Sequence, residues 1–198
     1  DDRDKWADDL KVQSMADERV LRVFMTVILA VVRTNFYMPT AIAAQRVAFK
    51  FDSSALRILP DPKPWREVFV YSPDVMGLHL RFGEVARGGI RWSDRPEDFR
   101  TEVLGLVKSQ QVKNAVIVPV GAKGAFIVRT VYGDKQEIGI NAYQEFLRGL
   151  LDVTDNRHKD KVITPKQVVC HNQEDSYLVV AADKGTASFS DTANAIAA

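Results

Sequence analysis

Positive side chains and glycines accumulate together in the middle of the chain. Between Leu78 and Arg129 there are nine lysines and arginines against five aspartates and glutamates, a local excess of positive charge. The cations are Arg81, Arg87, Arg91, Arg95, Arg100, Lys108, Lys113, Lys123 and Arg129. The same stretch contains Gly88, Gly89, Gly121 and Gly124, in loops predicted to follow strands. Because glycine lets backbone amides approach a ligand closely, this combination predicts a pocket for an anion.

Lys123 is the residue of this stretch best suited to proton chemistry. It stands between Gly121 and Gly124, soon after a run of apolar residues. If Arg87 and Lys113 converge on it, their charges favour its neutral form, and such a lysine exchanges protons near neutral pH. The alternative is a surface lysine whose glycines serve a turn. Lys113 has an alternative too, because a cation near a helix C-terminus stabilises the helix dipole.

More specific motifs are absent from the sequence. The run Gly121-Ala122-Lys123-Gly124 lacks the first glycine and the hydroxyl residue of a phosphate-binding P-loop, and no G-x-G-x-x-G dinucleotide fingerprint occurs. The three histidines, His79, His158 and His171, lack the spacing of metal ligands, so no metal site is expected. A single Arg87-Gly88-Gly89 before a predicted helix is a weak signal for RNA binding.

Length and composition are those of a folded globular protein. The 198 residues are 46% hydrophobic and 27% charged, which excludes a disordered tail or a low-complexity array as a description of the whole. With a formal net charge of +1, no overall field attracts nucleic acid or a membrane surface, and neither partner is expected. The single cysteine, Cys170, forbids an internal disulfide and fits a cytoplasmic location.

The first half of the chain predicts one helix and three strands. Residues 17–37 are rich in apolar side chains and free of glycine and proline, which predicts one long helix that ends before Pro39. Residues 43–51 and 67–71 predict two strands joined by a proline-rich loop. Residues 78–82 alternate between apolar and polar types, which predicts a half-buried strand with His79 and Arg81 on its polar face.

The second half alternates strands and helices. Asp94 and Glu97 have capping-box spacing before a helix predicted to end near Gln111. A buried strand at 115–118, the Lys123 loop at 120–124, a strand at 125–130, a helix at 136–151 and a charged linker at 154–166 are predicted next. This alternation predicts an α/β layer architecture.

Several of these segments occur in an order that characterises one enzyme superfamily. They are Arg87-Gly88-Gly89-Ile90-Arg91, the helix after it, Lys113-Asn114, Pro119-Val120-Gly121-Ala122-Lys123-Gly124 and Ala181-Ala182-Asp183. The fuller match adds Phe69-Val70-Tyr71-Ser72-Pro73, Trp92-Ser93-Asp94-Arg95 and Lys184-Gly185-Thr186. Over roughly residues 43–198 the sequence thus resembles the catalytic region of the large NAD-specific bacterial glutamate dehydrogenases. Blocks in the right order are more specific than any one of them.

The resemblance implies a role for each matching residue. Lys123 matches the catalytic lysine, which polarises the carbonyl and activates water, and Asp183 matches the acid that carries a proton to and from the amino group. Lys113, or alternatively Lys108, matches the lysine that binds the α-carboxylate. Arg87 stands where family members have a lysine for the side-chain carboxylate, which a guanidinium can bind through two hydrogen bonds. The residues expected to line the substrate site with them are Gly88, Gly89 and Gly121.

The same resemblance implies a fold and an activity. The fold would be a mixed sheet flanked by helices, the substrate-binding domain of the amino-acid dehydrogenase type, at residues 41–198 after a helical segment at residues 1–40. NAD would be bound by a Rossmann domain that follows this region in the family. The implied reaction is oxidative deamination of L-glutamate to 2-oxoglutarate and ammonia by a homo-oligomeric enzyme. This chain would then be a piece that is inactive alone.

Two functions other than catalysis stay open. The first is a non-catalytic regulatory module that binds an anionic metabolite through the same cations. Asp183 distinguishes it from an enzyme, because a pure anion site gains nothing from a nearby carboxylate. The second is a nucleic-acid binder, against which the near-neutral overall charge argues.

Overall fold

A computed structural model describes residues 14–114, 120–130 and 132–197, and the side chains of residues 111–114 and of Ser190 lie outside its described part. The strands are β1 (Val31–Thr34), β2 (Val47–Asp52), β3 (Arg66–Tyr71), β4 (Val75–Arg81), β5 (Gly88–Trp92), β6 (Ala122–Val128), β7 (Asn156–His158), β8 (Lys161–Ile163), β9 (Val169–Cys170) and β10 (Val180–Ala182). The helices are α1 (Met15–Leu29), α2 (Pro39–Ala43), α3 (Phe99–Asn114), α4 (Lys135–Asp152) and α5 (Ser190–Ala197).

Two kinds of strand pairing meet in one eight-stranded sheet, whose order is β10-β5-β6-β4-β3-β2-β1-β9. From β9 to β6 all neighbours are antiparallel. At the other edge, β5 is parallel to β6 and β10 is parallel to β5. The prediction of an α/β architecture with a mixed sheet is therefore confirmed, and the parallel strands carry two of the motifs singled out in the sequence.

Helices cover both faces of the sheet. On one face Phe126 of β6 packs with Phe146 of α4 in the larger apolar core. On the other, Ile127 of β6 belongs to a core shared with Val103 of α3. Because strand residues alternate between faces, the odd-numbered residues of β6, including Lys123, lie on the α3 face. The helix predicted at 136–151 is confirmed by α4.

The N-terminal helix is shorter than its sequence predicts. α1 begins after Ser14, whose Oγ accepts a hydrogen bond from the Ala16 amide at 3.3 Å, and it ends at Leu29. Residues 31–34 form β1, so the prediction of one helix through residue 37 is wrong. Val31 and Val32 are β-branched, and pairing of β1 with β2 and β9 outweighs the local preference for continuing the helix.

The alternating strand at residues 78–82 is buried on both faces. Its polar residues, His79 and Arg81, are each 4% exposed, so the expectation of a half-buried strand is wrong. Arg81 hydrogen-bonds the carboxylate of Asp175 and the carbonyl oxygen of Tyr177, and Lys50 Nζ contacts Asp175 Oδ2 at 3.1 Å. Alternation separates the two faces of a strand correctly, but it cannot show that a distant segment covers the polar one.

Three further predictions concern the residues around Lys123 and the charged linker. Lys123 lies in β6, which begins at Ala122, so the expectation that residues 120–124 form a loop is wrong. The β7–β8 hairpin occupies much of the predicted charged linker. The strand predicted at 115–118 lies outside the described residues. In the described part of the chain, no helix combines the length and apolar character needed to cross a membrane.

Candidate active site

Strands β6, β5 and β10 bring Lys123 and Asp183 into contact. Lys123 is the second residue of β6, Asp183 directly follows β10, and β5 lies between these strands. Lys123 Nζ donates a hydrogen bond to Asp183 Oδ2 at 2.7 Å, although 60 residues separate the two in sequence. Their side chains are 18% and 17% exposed. The ion pair is thus shielded on most sides and still reachable by a small molecule.

Two glycines of β5 make this contact possible. A Cβ atom on Gly89 would lie 2.9 Å from Asp183 Cβ and 3.2 Å from Asp183 Oδ2, so a side chain there would push Asp183 aside. A Cβ atom on Gly88 would lie 1.5 Å from the carbonyl oxygen of Ala122, so a side chain there would force β5 away from β6. Both positions need glycine for close approach.

Arg91 is a second cation at Asp183. It follows Gly89 by two residues in β5 and therefore lies on the same face of the sheet. Arg91 Nη2 lies 3.4 Å from Asp183 Oδ1, and Arg91 Nη1 lies 3.3 Å from Glu102 Oε1 on α3. Ser93 Oγ donates to Glu102 Oε2 at 2.5 Å, which fixes that carboxylate in turn. The Lys123–Asp183 pair is thus continued by a hydrogen-bonded chain along the α3 face.

The surroundings keep Asp183 ionised. Burial alone would raise the pKa of its carboxyl group. The hydrogen bond from Lys123, a second one from the Lys184 amide at 2.7 Å, and the positive charges of Lys123 and Arg91 outweigh that effect. The pKa of Asp183 therefore lies below its ordinary value, and the group is an anionic proton acceptor at neutral pH.

The other residues predicted for the site are distributed around this centre. Arg87 immediately precedes Gly88, its side chain is exposed, and its guanidinium forms no ion pair with the described residues. Its carbonyl oxygen accepts from the Ala122 amide at 3.4 Å, which holds its backbone beside β6. Gly121 precedes β6, and a Cβ atom there would lie 2.5 Å from Gln110 Oε1 of α3. Lys113 is in the last turn of α3, and its side chain is outside the described part.

A cleft of about 740 Å³ lies beside Arg91, and neither Lys123 nor Asp183 is among the residues that line it. Arg91 and Lys184, the residue after Asp183, both contribute to its wall. Trp92, Ile127 and Ile138 supply apolar surface. The cleft lies beyond the carboxyl ends of β5 and β6, the position at which ligands bind in open α/β sheets. Arg91 connects the cleft to Asp183, because its Nη2 atom lies 3.4 Å from Asp183 Oδ1.

The histidines take no part in this centre. Burial, with smaller contributions from the nearby charges of Arg81 and Lys50, lowers the pKa of His79 to about 3 despite the opposing effect of Asp175, so the imidazole is neutral. His158 and His171 are exposed. Within the described ranges no cluster of three or more His, Cys, Asp or Glu residues could hold a metal ion.

Sequence reasoning missed the contribution of Arg91. It entered only as one of nine cations and as part of a motif, without a role. The signal that could have found it is its spacing from Gly89. Residues two apart on a strand share a face, so Arg91 lies on the same side of the sheet as the space that Gly89 leaves open. Its partners, Glu102 and Asp183, could not be recognised because they lie on other elements.

Comparison with known proteins identifies the family of the chain. A family model described as bacterial NAD-glutamate dehydrogenase, catalytic domain, matches residues 7–198. The chain is 56% identical over 195 residues to an NAD-specific glutamate dehydrogenase of Pseudomonas aeruginosa, 55% identical over 193 residues to one of Halomonas elongata, and 51% identical over 199 residues to one of Mycobacterium tuberculosis. These matches cover 95%, 94% and 93% of the chain but only 12% of each relative. The chain therefore belongs to the catalytic-domain family of the bacterial NAD-glutamate dehydrogenases.

Proposed function

We propose that this chain is the substrate-binding and catalytic part of an NAD-dependent glutamate dehydrogenase, which converts L-glutamate, water and NAD⁺ to 2-oxoglutarate, ammonium, NADH and a proton. The observation that carries the proposal is the contact between Lys123 Nζ and Asp183 Oδ2 at 2.7 Å. It joins a cation and an ionised carboxylate whose side chains are partly exposed, in a chain 51–56% identical to enzymes with this name.

Asp183 handles the protons of the amino group in this proposal. The ammonium group of glutamate must lose a proton before a hydride can leave Cα, and an anionic carboxylate can accept that proton. After water has added to the resulting iminium carbon, the same group returns a proton to nitrogen so that ammonia can leave. Asp183 is ionised when substrate binds, although the hydrogen bonds and cations that lower its pKa also make it a weaker base.

Lys123 stabilises the oxygen that becomes the carbonyl group. Its ammonium donates to Asp183 and has further protons to direct at a water molecule or an oxyanion. As the added water gives up its protons to solvent and the carbonyl group forms, negative charge develops on that oxygen, and a cation held in place by a carboxylate needs no reorganisation to stabilise it. The pair therefore divides the work between an acid–base group and an electrostatic one.

The substrate carboxylates require further cations. We assign the side-chain carboxylate to Arg87, whose exposed guanidinium can form two parallel hydrogen bonds, and the α-carboxylate to Lys113. We expect the backbone of Gly88, Gly89 and Gly121 to line the same substrate site. Arg87 favours a substrate with a second carboxylate, because an amino acid with an apolar side chain would leave the charge of Arg87 without a partner.

NAD supplies the acceptor for the hydride. Its site is not assigned to this chain, because the sequence lacks the G-x-G-x-x-G fingerprint. In this proposal NAD is bound elsewhere in the full-length enzyme, which we expect to be a cytoplasmic homo-oligomer, and the 198-residue chain alone is inactive.

The rival function, a non-catalytic module for an anionic metabolite, accounts less well for the pairing. Asp183 neutralises Lys123 and also contacts Arg91, so it weakens the attraction of both cations for an anion. A site built only to bind would be stronger without that carboxylate.

The test is the turnover of Lys123→Ala and Asp183→Asn in the full-length enzyme. Each should lower kcat for glutamate by roughly 10²- to 10⁴-fold, the usual contribution of a positioned acid–base group, without changing the melting temperature substantially. Lys161→Ala, an exposed lysine of the β7–β8 hairpin, is the matched control and should keep its activity. Wild-type turnover in the Lys123 variant would refute the proposal. Unchanged catalysis with tighter 2-oxoglutarate binding in Asp183→Asn would favour the binding module.

A further inference from the structure

The turn after β10 fixes the backbone from which Asp183 projects. It runs through Lys184 and Gly185 to Thr186, and Gly185 adopts a positive φ of +82°, which favours glycine. The Thr186 amide donates to the Asp183 carbonyl oxygen at 3.1 Å, which closes the turn. Thr186 is completely buried, at 0% exposure, although its side chain is polar.

The hydroxyl group of Thr186 connects this turn to β5. Thr186 Oγ1 donates to the carbonyl oxygen of Ile90 at 2.7 Å and accepts from the Asp183 amide at 3.0 Å. One side-chain atom thus joins the main chain of Asp183 to the β5 residue that lies between Gly89 and Arg91. The hydroxyl therefore sets the distance of Asp183 from the strand over which it meets Lys123.

We propose that Thr186 is a positioning residue for Asp183. The inference rests on the proposed function, because it assigns Thr186 a part in the glutamate reaction. Without the hydroxyl, the buried Asp183 amide and Ile90 carbonyl lose their shared partner and the turn can move away from β5. A shift of about 1 Å would stretch the Lys123–Asp183 hydrogen bond beyond its normal length, and misplacement on that scale can cost about 100-fold in rate.

The hydroxyl is separable from the bulk of the side chain. Thr186→Val replaces it with a methyl group of similar size, and Thr186→Ser keeps it while it removes the methyl group. A matched control exists on the opposite side of the sheet, where the buried Thr154 Oγ1 donates to the Leu150 carbonyl oxygen at 2.8 Å. Thr154→Val therefore also removes a buried hydroxyl that bonds the main chain, but one remote from Asp183.

The experiment compares kcat and KM for glutamate in the full-length enzyme. Thr186→Val should lower kcat by about 100-fold with KM within about twofold of wild type. Asp183 acts on the reacting amino group, and the residues proposed to bind the substrate carboxylates are unchanged. Thr186→Ser should restore most of the kcat. Thr154→Val should lower the melting temperature without a comparable decrease in kcat.

The outcomes separate this inference from the proposed function. Wild-type kcat in Thr186→Val, together with inactive Lys123→Ala, would overturn the positioning role and leave the glutamate dehydrogenase assignment standing. Full turnover in Lys123→Ala would overturn the assignment, and the inference with it. A kcat loss in Thr186→Ser as large as in Thr186→Val would show that packing of the methyl group matters and would also overturn the role. If Thr186→Val does not fold, Thr186→Ala removes the same hydroxyl and is judged by the same kcat criterion.

Discussion

Two groups of charged residues lie on opposite faces of the same sheet, and they differ in how far their side chains are exposed. On the α4 face Arg33, Lys50, Arg81, Asp155 and Asp175 form a buried charge cluster. Nη1 and Nη2 of Arg33 donate to the two carboxylate oxygens of Asp155 at 2.6 and 2.9 Å, and neither side chain is exposed. On the α3 face, Lys123 and Asp183 are paired but remain partly exposed. Similar side chains therefore serve two purposes.

The buried charge cluster is fully committed to holding the chain together. Asp155 accepts a hydrogen bond from the Asp175 amide at 2.7 Å as well as those from Nη1 and Nη2 of Arg33, and Asp175 in turn binds Lys50 and Arg81. Burial lowers the pKa of Lys50 to about 8 even though Asp175 opposes that effect. Such a cluster ties the segment before β10 to strands β1, β2 and β4. Its side chains are at most 5% exposed, whereas those of Lys123 and Asp183 are 18% and 17% exposed.

The strongest test of this contrast is to break the buried charge cluster at Asp175. Asp175→Ala would leave Lys50 and Arg81 buried without their shared carboxylate and should destabilise the 198-residue chain by about 3–5 kcal/mol. Urea unfolding followed by circular dichroism measures the change. Glu18→Gln removes one partner of an exposed ion pair on α1 and should change the stability by at most about 1 kcal/mol. Equal losses in the two variants would contradict the structural role of the buried charge cluster.

The sequence singles out residues of the α3 face and none of the ion pairs of the α4 face. Lys123, Asp183 and the glycines of β5 occur in short motifs whose order in the chain can be read directly. The pairs of the buried charge cluster have no such signature: Arg33 and Asp155 are 122 residues apart, and nothing local to either indicates the other. His79 and Arg81 alternate with apolar residues in the same pattern as polar residues on the exposed face of a strand.

The same limit explains the errors in secondary structure. β1 continues an apolar run that began as a helix, and only its pairing with β2 and β9 makes it a strand. By contrast, the apolar stripe and capping residue of α4 are local features, and that helix is found within one residue of both predicted ends. Elements that depend on neighbours close in sequence are therefore predictable from the chain, and those that depend on distant partners are not.

A second test concerns the space that Gly89 leaves for the Lys123–Asp183 pair. Gly89→Ala places a methyl group 2.9 Å from Asp183 Cβ and should lower kcat of the full-length enzyme by roughly 10- to 100-fold through misplacement of that residue. Gly105→Ala is the matched control, because a Cβ atom there meets nothing within 4 Å and Gly105 lies inside α3. It should leave kcat unchanged and stabilise the chain by about 1 kcal/mol. Normal turnover in Gly89→Ala would show that the pair tolerates displacement.

The smallest expected effect is a pH dependence that belongs to the α4 face alone. His79 has a pKa of about 3 in the folded chain against an ordinary value of 6.5, chiefly because it is buried and secondarily because Arg81 and Lys50 are near, with Asp175 opposing them. Between these values the unfolded chain binds the extra proton, so stability falls as pH decreases from 6.5 toward 3. The slope should approach about 1.4 kcal/mol per pH unit near pH 5.

Replacing the imidazole tests this assignment directly. His79→Phe removes the titrating group and also removes Nε2, which has no hydrogen-bond partner among the described residues, so the slope between pH 5 and 6.5 should flatten. Urea midpoints of the 198-residue chain at a series of pH values measure it. His158→Gln, at an exposed histidine, should keep the wild-type slope. The interval above pH 5 is chosen because Asp155, Asp175 and Asp183, whose pKa values are lowered, add a slope of the same sign only at more acid pH. A wild-type slope in His79→Phe would mean that the α4 face contributes no titration of its own in this range, and the contrast with the α3 face would then rest on access to ligand alone.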